Sequence, residues 1–168
     1  MAPSYFDELN ASVTSEVLAA DDRTLRLAAA PLTGEEVAGL LRYQETFLGI
    51  AEADRSSEGL ARAHTEAIKA SGLPETRRVD QGNAIIRTFA GQRWAAGQLR
   101  DKLKQLEAQP GADAQERHQR IQKDLAKLEQ RTALLARRYG DETLALLRQH
   151  EARLLPLHVR MAQVLSQG

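Results

Sequence analysis

The feature that most constrains this chain is a spacing. Over its last ninety or so residues, apolar side chains recur at alternating four- and three-residue intervals. Ile85, Phe89, Gln92, Ala96, Leu99, Leu103 and Leu106 form one such series. His118, Ile121, Leu125, Leu128, Thr132, Leu135 and Tyr139 form a second, and Leu147, His150, Leu154, Leu157, Met161 and Val164 a third. An α-helix turns every 3.6 residues, so each series lies along one face of a helix, and that face must be buried against another. Strands alternate with a period of two, and no segment sustains that pattern with a partner. The chain is therefore expected to be all-α.

Punctuation between the series sets the helix boundaries. Thr33-Gly34-Glu35-Glu36 reads as a capping box, in which the threonine hydroxyl and the glutamate carboxylate satisfy each other's backbone N–H groups. Val37, Leu40, Leu41, Phe47, Leu48 and Ala51 follow as a stripe, and Leu60, His64, Ala67 and Ile68 continue it after a candidate interruption at Ser56-Ser57. Ser71-Gly72-Leu73-Pro74 is a stop and restart, with glycine for the left-handed cap and proline for the next first turn. Gln109-Pro110-Gly111-Ala112 is a turn, after which Asp113 and Glu116 have capping-box spacing; Gly140 ends that helix and Asp141 is placed to cap the last one. Pro156 falls inside the last series and predicts a kink or break there, because it removes a helical donor.

Segments 34 to 70, 74 to 108, 113 to 139 and 141 to 166 thus predict four long helices. Connections this short favour an antiparallel up-down bundle, a single domain over residues 33–168. Residues 1–32 are expected to hold a short accessory N-terminal helix, with Tyr5, Leu9, Val13 and Val17 on one face, and then a linker. Gly82, Gly91 and Gly97 either weaken the helix they interrupt or allow a neighbouring helix to approach closely.

Composition narrows function mainly by exclusion. The 168 residues carry 23 basic and 23 acidic side chains, so the phosphate-neutralising excess of a nucleic-acid binder is missing. With no cysteine, thiol catalysis and thiolate zinc sites are excluded. No apolar run approaches the roughly 20 residues of a spanning helix, and the first residues lack the pattern of a signal peptide. A cytoplasmic location is the expectation. No Gly-x-Ser-x-Gly elbow, phosphate-cradling loop or dinucleotide fingerprint occurs, and no nucleophile–base constellation points to an enzyme.

The histidines are the residues that could carry chemistry. His64, His118 and His150 fall on apolar seams and His158 at the edge of one, so they are candidates to ligate a metal or a ligand. At the rise of an α-helix, His118 lies roughly 33 Å from the Gly140 turn, His158 roughly 27 Å and His150 roughly 15 Å. Only His118 and His158 come near a common level. Neither Glu-x-x-His nor His-Glu-x-x-His spacing accompanies them, and no cofactor is expected.

The remaining resource is surface. The segment 99–139 reads as a hairpin with a narrow apolar stripe and charge elsewhere, a form that serves as a docking face or dimerises. Trp94, Arg100, Lys123, Lys127 and Arg131 are the candidate contact residues. The expected function is a non-catalytic interaction or scaffold protein with a protein partner or a second copy of itself. The alternative is a helical ligand or metal binder that uses the seam histidines.

Overall fold

A computed structural model describes residues 29–108 and 111–166, and these residues are helical with no strand among them. The helices are α1 (Gly34–Ala51), α2 (Ser57–Ser71), α3 (Thr76–Glu107), α4 (Ala112–Tyr139), α5 (Asp141–Gln149) and α6 (Glu151–Ser166). The expected N-terminal helix lies outside the described residues. Two of the four expected helical units are each divided in two.

The first division, within 34 to 70, has a local cause. The Asp54 carboxylate accepts hydrogen bonds from the Ser56 N–H (3.1 Å) and the Ser56 hydroxyl (2.6 Å). The same hydroxyl accepts the Gly59 N–H at 3.1 Å and caps α2. A methyl group at Gly59 would stand 2.3 Å from the Asp54 carbonyl oxygen, so only glycine lets this turn close. A serine that binds neighbouring backbone competes with the helix in this way.

The second division comes at His150, not at Pro156. The His150 N–H is shared between the Leu146 and Leu147 carbonyls, both at 3.2 Å, and α6 then runs unbroken through the proline. Ala152, whose carbonyl loses the donor that Pro156 lacks, is an exposed residue in the first turn of a new helix.

The caps are partly those the sequence announces. Thr33 and Glu36 form the full capping box, and Gly72 takes the left-handed cap at φ 71°. The Arg42 guanidinium closes that end further by donating to the Ala70 and Ser71 carbonyls. Asp113 and Asp141 do not cap. Gly111 and Gly140 hold the cap positions without a side-chain bond, and the two aspartates sit in the first turns, where a carboxylate faces the positive helix end. Gly140 has φ 99°, a backbone that favours glycine.

Contacts between helices fix their directions. Tyr43 meets His64 and Arg42 meets Ser71, so α1 and α2 form an antiparallel hairpin. Gln92 meets Thr132 and Arg100 meets Glu129, so α3 and α4 form another. Glu45 pairs with Arg153 and Glu52 with Arg160, which sets α6 beside α1 in the same direction. Of the α3 glycines, Gly82 marks a close approach, since a Cβ there would stand 2.4 Å from Leu40 Cδ1. Gly97 faces open space.

Apolar burial falls into two clusters. The larger gathers Leu32, the buried faces of α1 and α2, α3 as far as Ala90, Leu135 and Tyr139 at the end of α4, Leu147, and the buried face of α6. The smaller contains Ala95, Ala96, Leu99, Ile121 and Leu128, with Trp94, Leu103, Leu106 and Leu125 packed against it. All nine belong to α3 and α4. The first cluster defines a body and the second an arm.

Candidate functional site

The arm begins where α3 leaves the body. Past Ala90, the last α3 residue in the body core, helix rise carries the chain about 25 Å to Glu107. On α4 the corresponding length, from Ala112 to Leu135, is about 35 Å. Over this length each helix buries one stripe against the other. Lys104, Gln105, Arg120, Lys123, Lys127 and Gln130 are exposed.

A buried polar contact marks the junction of arm and body. The Thr132 hydroxyl donates to the Gln92 amide oxygen at 2.7 Å, and both residues are 1% exposed. Both stood on the sequence seams among apolar residues. A polar pair there restricts how the two helices can register, because any slip separates the donor from its acceptor.

Ion pairs secure the same junction from outside. The Arg93 guanidinium donates to Glu129 at 2.8 Å and to Glu151 at 2.9 Å, which ties α3 to both α4 and α6. Arg100 reaches the same Glu129 carboxylate at 3.1 Å. With its side chain 10% exposed, Arg93 is the shielded member of this group, whereas Arg100 is open to solvent. Sequence patterning gave no sign of the two carboxylates that engage Arg93.

The five residues singled out as a contact surface take different positions. Lys123 and Lys127 are exposed on α4, one helical turn apart. Arg131, a turn further on, is half-buried and has a partner of its own. Arg100 is exposed on α3 and occupied by Glu129. Trp94 is half-buried at the base of the arm, with its ring centroid 6.2 Å from that of His158 on α6. It is therefore neither wholly core nor an open anchor.

The histidines are dispersed. His64 is exposed rather than on a buried seam, and its Nδ1 lies 2.7 Å from the Tyr43 hydroxyl. Burial, aided by the charge of Asp80, pushes the Tyr43 phenol up to about 12, so its hydroxyl keeps its proton near pH 7. His118 borders a groove at the tip of the arm with Leu106, Gln115 and Gln122. His158 borders an apolar cavity of the body, where burial and then the charge of Arg87 hold its imidazole below the ordinary histidine range. The structure does not bring His118 and His158 together. Among the described residues no three histidine, aspartate or glutamate side chains converge on a point that could hold a metal ion. No helix among them is long and apolar enough to cross a membrane.

The chain matches no family model, no curated protein and no solved structure.

Proposed function

We propose that the chain is a non-catalytic helical interaction protein whose α3–α4 arm is its docking element. The observation that carries this reading is the second apolar cluster, which among the described residues draws on α3 and α4 alone. A two-helix arm packed in this manner leaves most of each helix facing water, and a helical surface of that length is suited to receiving another helix or a second copy of itself. The arm acts as a coiled-coil hairpin in this reading. Its partner is a protein, and the setting is the cytoplasm.

Lys123 and Lys127 supply the test, because both are exposed and neither takes part in the apolar stripe. The double substitution Lys123→Glu and Lys127→Glu reverses the charge of this face. Stability should change by about 0.5 kcal/mol or less, as for other surface substitutions. Light scattering and crosslinking of the purified protein should show self-association that the double variant loses while its helicity is unchanged. Where the wild type is monomeric, a defined partner captured in lysate should be lost by the same variant. Association unaffected by the reversal would remove the arm from consideration.

A further inference from the structure

The body contains a cavity of about 360 Å³ between α1, α3 and α6. Its size falls in the lower part of the range for small-molecule sites, roughly 300–1,000 Å³. Phe47, Ile86, Ala90 and Met161 line it with apolar surface, and Leu165 stands at it 56% exposed. An exposed leucine beside a concave apolar wall is apolar surface that the described residues leave uncovered.

Two polar residues of α3 line the same space. The Asn83 amide oxygen is buried with no hydrogen-bond partner among the described residues. Such an atom costs folding free energy unless something donates to it, and native structures hold few of them. Arg87, one helical turn on, is exposed and has no carboxylate partner among the described residues. Among the described residues no aspartate or glutamate lines the cavity, and Arg87 brings a positive charge to it. His158, the other titratable neighbour besides Tyr43 among the described lining residues, is held below the ordinary histidine range by burial and by Arg87.

We propose that this cavity binds a small carboxylic acid with an apolar body and a hydroxyl or amide N–H close to its carboxylate. The apolar body fills the space between Phe47, Ile86 and Met161. The carboxylate pairs with Arg87, and the neighbouring hydroxyl or N–H donates to the Asn83 oxygen. Residues four apart on a helix have Cβ atoms about 5–6 Å apart. A ligand whose two groups lie within a few bonds of each other can then reach both side chains, as in a 3-hydroxy fatty acid or an N-acyl amino acid. This inference does not depend on the function proposed for the arm.

Trp94 provides the readout. It is the one tryptophan of the chain, and its ring borders that of His158. The full chain is titrated with 3-hydroxydecanoate, N-octanoylglycine, decanoate and 1-decanol, followed by tryptophan fluorescence and calorimetry. The first two should bind at least tenfold more tightly than 1-decanol, and the stronger of them identifies hydroxyl or amide as the donor. Arg87→Gln should abolish the preference for acid over alcohol. Asn83→Leu should abolish the preference of 3-hydroxydecanoate over decanoate while leaving decanoate bound.

Absence of binding by every probe at millimolar concentration overturns the proposal, as does an acid preference that survives Arg87→Gln. A photoreactive residue at position 162 tests whether the chain fills its own cavity. Crosslinks to residues 1–28 that the acids fail to displace would also overturn it.

Discussion

The body and the arm use the same kinds of side chain to very different depths. In the body, Leu40, Phe89, Leu147 and Leu154 come from four different helices, and each is at most 1% exposed. Each side chain meets neighbours from several directions, so the position of any one helix is fixed by the rest. In the arm, five buried residues from two helices face one another, and two of the five are alanines. Among the described residues each helix is held there chiefly by the other, with α6 reaching the base of the arm through Glu151 and His158. Burial on one side stabilises the pair, while residues such as Lys123 and Lys127 on the other side face solvent. Such differences in local stability are common within one protein, and surfaces that bind are drawn from the less stable end.

Phe89→Ala should give the largest effect. The ring is fully buried in the body, and truncation of a buried phenylalanine costs about 3–5 kcal/mol. The loss should appear as a lower midpoint of one cooperative unfolding transition. Leu128→Ala is the counterpart in the arm, expected to cost about 2–3 kcal/mol because a two-helix contact can partly close over the space. Hydrogen exchange distinguishes the two variants. Leu128→Ala should release amides between Leu99 and Leu128 while the body stays protected. A variant that loosens α1 and α2 equally would mean that arm and body are one unit, and the comparison would fail.

The boundary between the regions can be probed at Gln92 and Thr132. Thr132→Val removes the hydroxyl that donates to the Gln92 oxygen in a buried setting. Loss of one partner from such a pair costs about 1–2 kcal/mol, more than replacement of both by apolar groups. The double variant Gln92→Leu, Thr132→Val should therefore recover part of the loss, as measured by chemical denaturation. It should also allow more than one register between α3 and α4, visible as extra resonances from the arm. Full recovery with a single set of resonances would deny the pair any role in fixing register.

These expectations also show which parts of the structure were legible in the sequence. The seams from Ile85 to Leu106 and from Ile121 to Tyr139 announce their helices directly, since a 3.6-residue period needs no knowledge of the partner. Thr33, Glu36 and Gly72 mark helix ends by chemistry confined to three or four residues. The stripes of 99–139 do not reveal whether they meet a whole bundle or only each other, because a stripe specifies that something covers it and not what. The division at Asp54–Ser56 has a local cause and falls at the candidate interruption of Ser56-Ser57, whereas the division at His150 was not foreseen, so Pro156 pointed to the right helix and the wrong residue. Asn83 and Arg87 lay within a helix on no apolar seam. Only the approach of α1 and α6 makes them lining residues of one cavity.

The smallest effect belongs to the body and concerns acid. Glu36 accepts from the Thr33 N–H in the capping box and from the Arg78 guanidinium, which also holds the Ala30 and Pro31 carbonyls. Chiefly through its hydrogen bond with Arg78, the Glu36 carboxyl is held below its ordinary value of about 4.5. The folded state therefore favours the ionised form more than the unfolded state does. The stabilisation is complete above pH 4.5 and is lost as pH falls through that value toward the lower folded one. Glu36→Gln should cost about 1 kcal/mol at pH 7, chiefly through the charged pair with Arg78, since a glutamine oxygen can still complete the capping box. Once pH has fallen below the folded value it should cost close to nothing. Comparison of the two proteins by denaturant unfolding across this range isolates the residue from other acid effects. Because the pair joins α1 to α3 inside the body, the pH-dependent difference should appear in the exchange of α1 amides and leave the arm unchanged. A difference between variant and wild type that stayed constant as pH fell through the acid range would show that the side chain acts there through packing rather than charge.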